Sequence, residues 1–215
     1  MFEESSAWDY ENGFYLTSQP QRMGKLLAQY EIYKQIVNLP GNVVELGVFK
    51  GASLARLLTY RELLESSASR QVVGFDSFGV FPPQEEAADA AFIEEWEAEA
   101  GSGFSASVIE SFLHAKHFRN FDLIAGDVIK TVPSFLRSNP HFRIALLHLD
   151  LDVYEPTRAM IDLLYPRIVH GGIVMIDDYA ATPGASRAID EFLLDRRHRL
   201  LKLPLSHVPA YFVKD

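Results

Sequence analysis

The 215-residue chain has no cysteine. That excludes disulfide scaffolds, thiol nucleophiles, zinc fingers and iron–sulfur centres together, and leaves Asp, Glu, His, Ser and Tyr to carry any chemistry. Residues 71–115 contain no Lys or Arg, yet they hold nine acids: Asp76, Glu85, Glu86, Asp89, Glu94, Glu95, Glu97, Glu99 and Glu110. This one stretch accounts for the formal charge of −9, since outside it twenty acids face twenty bases. No basic stripe is available to track a phosphate backbone, so nucleic acid is not an expected partner. No apolar run approaches the roughly 18 residues of a membrane span, and the start, MFEESSAWDYE, is acidic where a signal peptide would be basic. A cytoplasmic protein with no membrane contact is expected.

What is present is enough for one sizeable core. Hydrophobic residues make up 48% of the chain and aromatics 12%, and 215 residues fit a single domain. Residues 1–20 show no periodicity and read as an arm or lid. From Gln21 the apolar positions Met23, Leu26, Leu27, Tyr30, Tyr33, Ile36 and Val37 recur at helical spacing and predict an amphipathic helix before Pro40. Strands are predicted over 42–46, 72–76, 121–125, 144–150, 173–176 and 210–213, with helices over 53–65, 156–164 and 186–194. Continuous apolar strands alternating with helices imply a parallel sheet buried on both faces. The stretch 82–118 interrupts this rhythm as an acidic helical insertion. Its helix sets Phe92 and Trp96 four residues apart, either as a solvated helix packed by one aromatic edge or as a cover over the site.

The turn Glu45-Leu46-Gly47-Val48-Phe49-Lys50-Gly51 follows the first strand and opens a helix, but Phe49 stands where a dinucleotide loop needs its middle glycine. No Walker sequence occurs either. A nucleoside ligand without a pyrophosphate fits better, and S-adenosylmethionine is one. Glu45 is then available to a water or the ammonium group, and Gly47 leaves room for the methionine part. Asp76 ends the second strand where a carboxylate accepts from ribose hydroxyls, and Asp127 after the third strand either meets an adenine amine or caps a helix. Asp150 and Asp152 end the fourth strand and Asp177 and Asp178 the fifth. Carboxylates converging there repel one another unless a cation sits between them, and oxygen ligands favour Mg²⁺ or Mn²⁺.

The runs Gly41-Asn-Val-Val-Glu-Leu-Gly-Val-Phe-Lys-Gly-Ala-Ser53, Asp76-Ser-Phe78, Leu149-Asp-Leu-Asp-Val-Tyr-Glu-Pro-Thr157 and Gly171-Gly-Ile-Val-Met-Ile-Asp-Asp-Tyr179 resemble the macrocin O-methyltransferase family. The resemblance covers about residues 17–192. It implies a Rossmann-like class I methyltransferase fold, a mostly parallel seven-stranded sheet with helices on both faces, and oligomers. It also implies S-adenosylmethionine- and Mg²⁺-dependent methylation of a sugar or glycoside hydroxyl. By position, Asp150, Asp177 and Asp178 match metal ligands, and Glu45, Gly47, Gly51, Ser53, Asp76, Ser77, Phe78 and Asp127 match cofactor positions. Two glycines usual in the family are replaced by Ala52 and Leu151. Val153 stands where relatives with a distinct side-chain base carry Lys or His.

The expected base is Asp150, with Asp152 second. Tyr154, Tyr179 and Arg187 are candidate acceptor contacts, while His148 reads as a core histidine and His170 as surface loop. Rival readings are a catechol or phenol methyltransferase of the same fold, a nicotinamide-dependent oxidoreductase, and a nucleoside-binding protein without catalysis.

Overall fold

The computed structural model describes residues 3–215, so the first two residues of the predicted arm lie outside it. The sheet has seven strands: β1 (Asn42–Leu46), β2 (Val72–Asp76), β3 (Phe121–Ala125), β4 (Ile144–Leu149), β5 (Ile168–Ile176), β6 (Leu201–Lys202) and β7 (Ala210–Val213). Their order is β3-β2-β1-β4-β5-β7-β6. The first five run parallel, and β7 runs antiparallel to both of its neighbours, β5 and β6. The chain therefore reverses its winding between β1 and β4, and at such a switch point open α/β sheets bind ligands beyond the carboxyl ends of their strands.

Eight helices cover the sheet: α1 (Ala7–Thr17), α2 (Pro20–Tyr33), α3 (Ala52–Leu64), α4 (Ala87–Ala100), α5 (Ala106–Ala115), α6 (Val128–Ser138), α7 (Tyr154–Leu164) and α8 (Pro183–Leu193). Alternation along the strands divides the core in two. Val44, Leu46, Leu147, Leu149, Val174 and Ile176 pack under α6, α7 and α8. Val43, Leu146, Ile173 and Met175 pack under α2, α3 and α5. By the same alternation Glu45, His148, Asp150 and Asp177 belong to the α2 side, which decides what each of them meets.

Four departures from the sequence expectation have physical causes. The residues read as an unstructured arm form α1, although none of its side chains is buried and Trp8, Tyr15 and Leu16 are exposed. The first half of α2 turns a different face inward than its apolar stripe predicts, while Tyr33 and Ile36 of that stripe are buried as expected. Ala28, Gln29, Ile32 and Tyr33 are buried, while Leu26, Leu27 and Tyr30 line an open groove of about 450 Å³ against Ala55, Thr59, Tyr60 and Leu63 of α3. The insertion is shorter than 82–118, because α5 sends Ile109 and Leu113 into the core and is the ordinary crossover between β2 and β3. Finally, α6 forms where only the capping alternative for Asp127 pointed to a helix, despite Pro133 in its interior. Its N-cap is Asp127, whose side chain accepts from Ile129 N at 3.0 Å. Asp127→Ala should therefore cost about 1 kcal/mol, read from the shift in urea midpoint at constant slope.

Candidate active site

The glycine turn is built on Asp76. One carboxylate oxygen accepts from Val48 N at 2.7 Å and Phe49 N at 2.9 Å, and the other accepts from Phe78 N. These bonds hold Phe49 and Phe78 at positive φ (52° and 53°), outside the usual range for large side chains. Asp76 thus spends much of its accepting capacity on its own loops, beside any role toward a ribose. Gly47 has φ +90°, and a Cβ there would overlap the Asp150 carbonyl, whose carbon lies 2.7 Å from that point. Its smallness is required by the neighbouring strand end, a reason separate from the room for a methionine group expected of it. Gly51, at φ +85°, begins α3 with Ile109 at van der Waals distance. Ser53 stands partly exposed in the first turn of α3, and the Ser77 hydroxyl donates to the Val80 carbonyl at 2.9 Å. The Phe78 side chain is buried in the core cluster that includes Val48, Leu54 and Ile109, and its backbone N–H serves the turn.

At the ends of β4 and β5 the four predicted aspartates do converge. Carboxylate oxygens of Asp150, Asp152 and Asp178 lie within 4.8 Å of one another, and a second trio unites His148, Asp150 and Asp177. Asp178 also accepts from Asp152 N at 2.9 Å, which fixes Asp152 at φ 64°.

Two participants had little signal in the sequence. His148, read as a core residue, is fully buried, but it faces a carboxylate on each side. Its Nδ1 lies 3.0 Å from Glu45 Oε1, and its Nε2 is 3.5 Å from Asp177 Oδ1, too long for a good hydrogen bond. The β1–β4 pairing that sets Glu45 opposite His148 creates this contact, and the topology would have had to be known to foresee it. Lys25, one turn before Ala28 and Gln29 on the buried face of α2, forms an ion pair with Asp177. The apolar stripe pointed that helix the other way.

The electrostatics follow. Burial, then the charges of Asp177 and Asp178, pushes Asp150 well above the usual carboxylate range. Burial and the charge of Asp150 raise Asp152 to about 7, and burial with Asp152 and Asp177 does the same in direction for Asp178. Asp177 alone is lowered, to about 2, because its contacts with His148 and Lys25 outweigh its burial. Burial would depress His148, yet Asp177 and Glu45 lift it to about 10. Folded protein without metal therefore binds more protons than unfolded protein from the ordinary Asp value of 3.8 up to about 7, and His148 extends the same sign from 6.5 to about 10. Stability on this account is greatest below the unfolded values and is lost as pH rises through the folded ones. In chelator, the protein should melt higher near pH 5.5 (about) than near about pH 7.5, and Mg²⁺ should flatten that slope. A melting temperature that rises with pH in chelator would contradict it.

α4 closes the site from above. Its buried Asp89 accepts from Tyr154 N at 2.8 Å, at the start of α7, and at its other end Trp96 packs on Phe49 with ring centroids 5.9 Å apart. Between α4 and the acid cluster lies a cavity of about 250 Å³ lined by Ala88, Asp89, Ala91, Phe92, Glu95, Asp152, Thr182 and Pro183. Tyr154, Tyr179 and Arg187 are engaged on the rim. Tyr154 bonds Glu191, Tyr179 bonds Asp190, and Arg187 stacks on Tyr154 while pairing with Glu86. His170 is exposed as expected, but within β5 and not in a loop.

A model of the Macrocin-O-methyltransferase (TylF) family matches residues 14–213. The chain belongs to that family. It is 30% identical over 161 residues to the demethyldecarbamoylnovobiocin O-methyltransferase of Streptomyces niveus, covering 72% of this chain and 59% of the relative. It is 32% identical over 149 residues to an 8-demethyl-8-(2,3-dimethoxy-alpha-L-rhamnosyl)-tetracenomycin-C 4'-O-methyltransferase of Streptomyces olivaceus, covering 66% of this chain and 54% of the relative. The chain thus spans between half and two thirds of the length of these curated relatives. Among solved structures, the calicheamicin methyltransferase CalS11 superposes with a TM-score of 0.75 at 28% identity, over 98% of this chain and 86% of that one. The strand order and these likenesses make the fold that of the class I methyltransferases, as the sequence resemblance implies. Among the described residues, no helix is long and apolar enough to cross a membrane.

Proposed function

We propose that this protein transfers the methyl group of S-adenosylmethionine to a hydroxyl of a sugar or glycosylated small molecule, with a divalent cation, Mg²⁺ or Mn²⁺, held by Asp150, Asp177 and Asp178. One observation carries the reading: the convergence of four aspartates on the strand ends beside the Gly47–Gly51 turn, with Asp152 among them lining the cavity under α4. The residues suit both groups. Glu45 Oε2 is buried without a hydrogen-bond partner next to the turn, and so is Asp177 Oδ1 in the cluster. Close, repelling, hard oxygen donors are what a small divalent cation stabilises. The relatives, named as O-methyltransferases of demethyldecarbamoylnovobiocin and of a rhamnosyl-tetracenomycin, support the acceptor class.

In the mechanism, a bound cation would lower the pKa of an acceptor hydroxyl. Everything else falls to the chain. The turn braced by Asp76 fixes the donor, and α4 with Phe92 and Trp96 restricts water and orients the acceptor. The proton goes to Asp152. The order expected from the sequence is thereby reversed, because Asp152 lines the cavity, while Asp150 faces His148, Asp177 and Gly47. With the proton removed, the hydroxyl oxygen attacks the sulfonium methyl in line and S-adenosylhomocysteine leaves.

Transfer of labelled methyl to a panel of deoxysugars, glycosides and phenols tests this. Label should enter a glycoside, and chelation should abolish transfer with Mg²⁺ restoring it. Incorporation into phenols alone overturns the acceptor class, and transfer that survives exhaustive chelation overturns the metal.

A further inference from the structure

We propose that Lys25 is a tethered counter-cation of the metal seat: its ammonium neutralises Asp177 until a divalent cation takes its place, so that metal loading displaces a side chain of α2. The inference rests on the metal reading above and adds a competitor to it.

Lys25 reaches the cluster from outside the strands that carry the acids. It projects from α2, with its side chain 29% exposed, onto an Asp177 that is only 9% exposed. Of the four aspartates, Asp177 alone has a cationic side chain bonded to one carboxylate oxygen. Its other oxygen is buried without a hydrogen-bond partner and faces His148 Nε2 at 3.5 Å. A protein holding four acids this close needs some positive charge among them before any metal arrives, and an ammonium supplies one unit of it. A carboxylate has lone pairs for more than one partner, so the competition between the ammonium and a divalent cation at Asp177 is one of charge. Two positive charges a few ångströms apart repel, by an amount that falls only slowly with distance in a partly buried site. Among the described residues, the lysine ammonium paired with these acids comes from α2, and Lys25 does not line the cavity that Asp152 lines.

Mn²⁺ titration followed by electron paramagnetic resonance, on the full chain, decides the matter. Lys25→Met should bind Mn²⁺ on the order of tenfold more tightly than the unsubstituted protein. Lys34→Met, which removes the same charge from a surface pair with Glu31 just beyond α2, should leave the affinity unchanged. Melting gives a second readout. Metal-free Lys25→Met should melt below the metal-free unsubstituted protein, while the two loaded proteins melt together. A lysine that merely struts α2 would lower both by the same amount. Mn²⁺ binding that is equal or weaker in Lys25→Met overturns the inference and leaves the metal reading standing. No Mn²⁺ binding by either protein overturns both.

Discussion

Asp152→Asn is expected to lower kcat by roughly a thousandfold while donor affinity stays unchanged. The amide has the shape of the carboxylate but accepts no proton at neutral pH, and the substitution spares the backbone bonds of Asp152, although it removes a charge that faces Asp178. Its backbone N–H donates to Asp178 at 2.9 Å, and its carbonyl accepts from the Thr182 hydroxyl at 2.6 Å. Neither bond uses the side chain. The positive φ of 64° is one that Asn adopts as readily as Asp. Fold, turn and cluster should survive, so the loss would report proton removal. Initial rates with labelled donor, alongside calorimetry with S-adenosylhomocysteine, separate the two quantities. A decrease of less than about tenfold in kcat returns the role of base to Asp150.

Gly47→Ala should be the most damaging single methyl group in the chain. A Cβ at this position would strike the Asp150 carbonyl, and at φ +90° an L-residue is strained even with room to spare. Overpacking costs about 1–3 kcal/mol and the left-handed conformation about 1–2 more, so a loss of about 2–5 kcal/mol is expected. Such a cost consumes much of a typical domain's stability. Gly13→Ala in α1, where nothing lies within 4 Å of the added carbon, is the control and should be neutral or slightly stabilising. Equal melting of the two variants would show that the strand ends move apart easily, and donor binding should then also be retained.

The elements legible from sequence are those whose signal is local. β1, β2, β3 and β7 begin and end where their apolar runs predict; β1, β2 and β7 are buried along most of their length and so are written as nearly continuous apolar stretches, while β3 lies at the sheet edge and is only partly buried. β5 starts five residues earlier than the expected 173, since Gly171 and Gly172 read as a turn but lie within a strand whose register shifts against β4. β6, two residues long at the sheet edge, leaves no pattern to find. In the site, Asp150, Asp152, Asp177 and Asp178 could be placed together because parallel neighbours end side by side. Lys25 and His148 could not. One depends on which way a helix is rolled and the other on which strands pair, and both are decided by packing between segments more than a hundred residues apart. Asp76 and Phe78 show the converse limit: a motif fixes where a residue sits along the chain, while hydrogen bonds and packing decide which of its atoms remain free.

α4 buries only Asp89 and Ile93, and it is fastened by a few contacts at its two ends. Its remaining side chains carry almost no burden of folding. Acceptor choice can therefore drift in this helix, residue by residue, at little cost to the molecule, while the strand ends stay constrained by Gly47 and the paired acids. Such a separation of a fixed reaction centre from a replaceable roof lets one scaffold be adapted to many glycosides, and it marks Phe92 and its exposed neighbours as the first positions to randomise for a new acceptor.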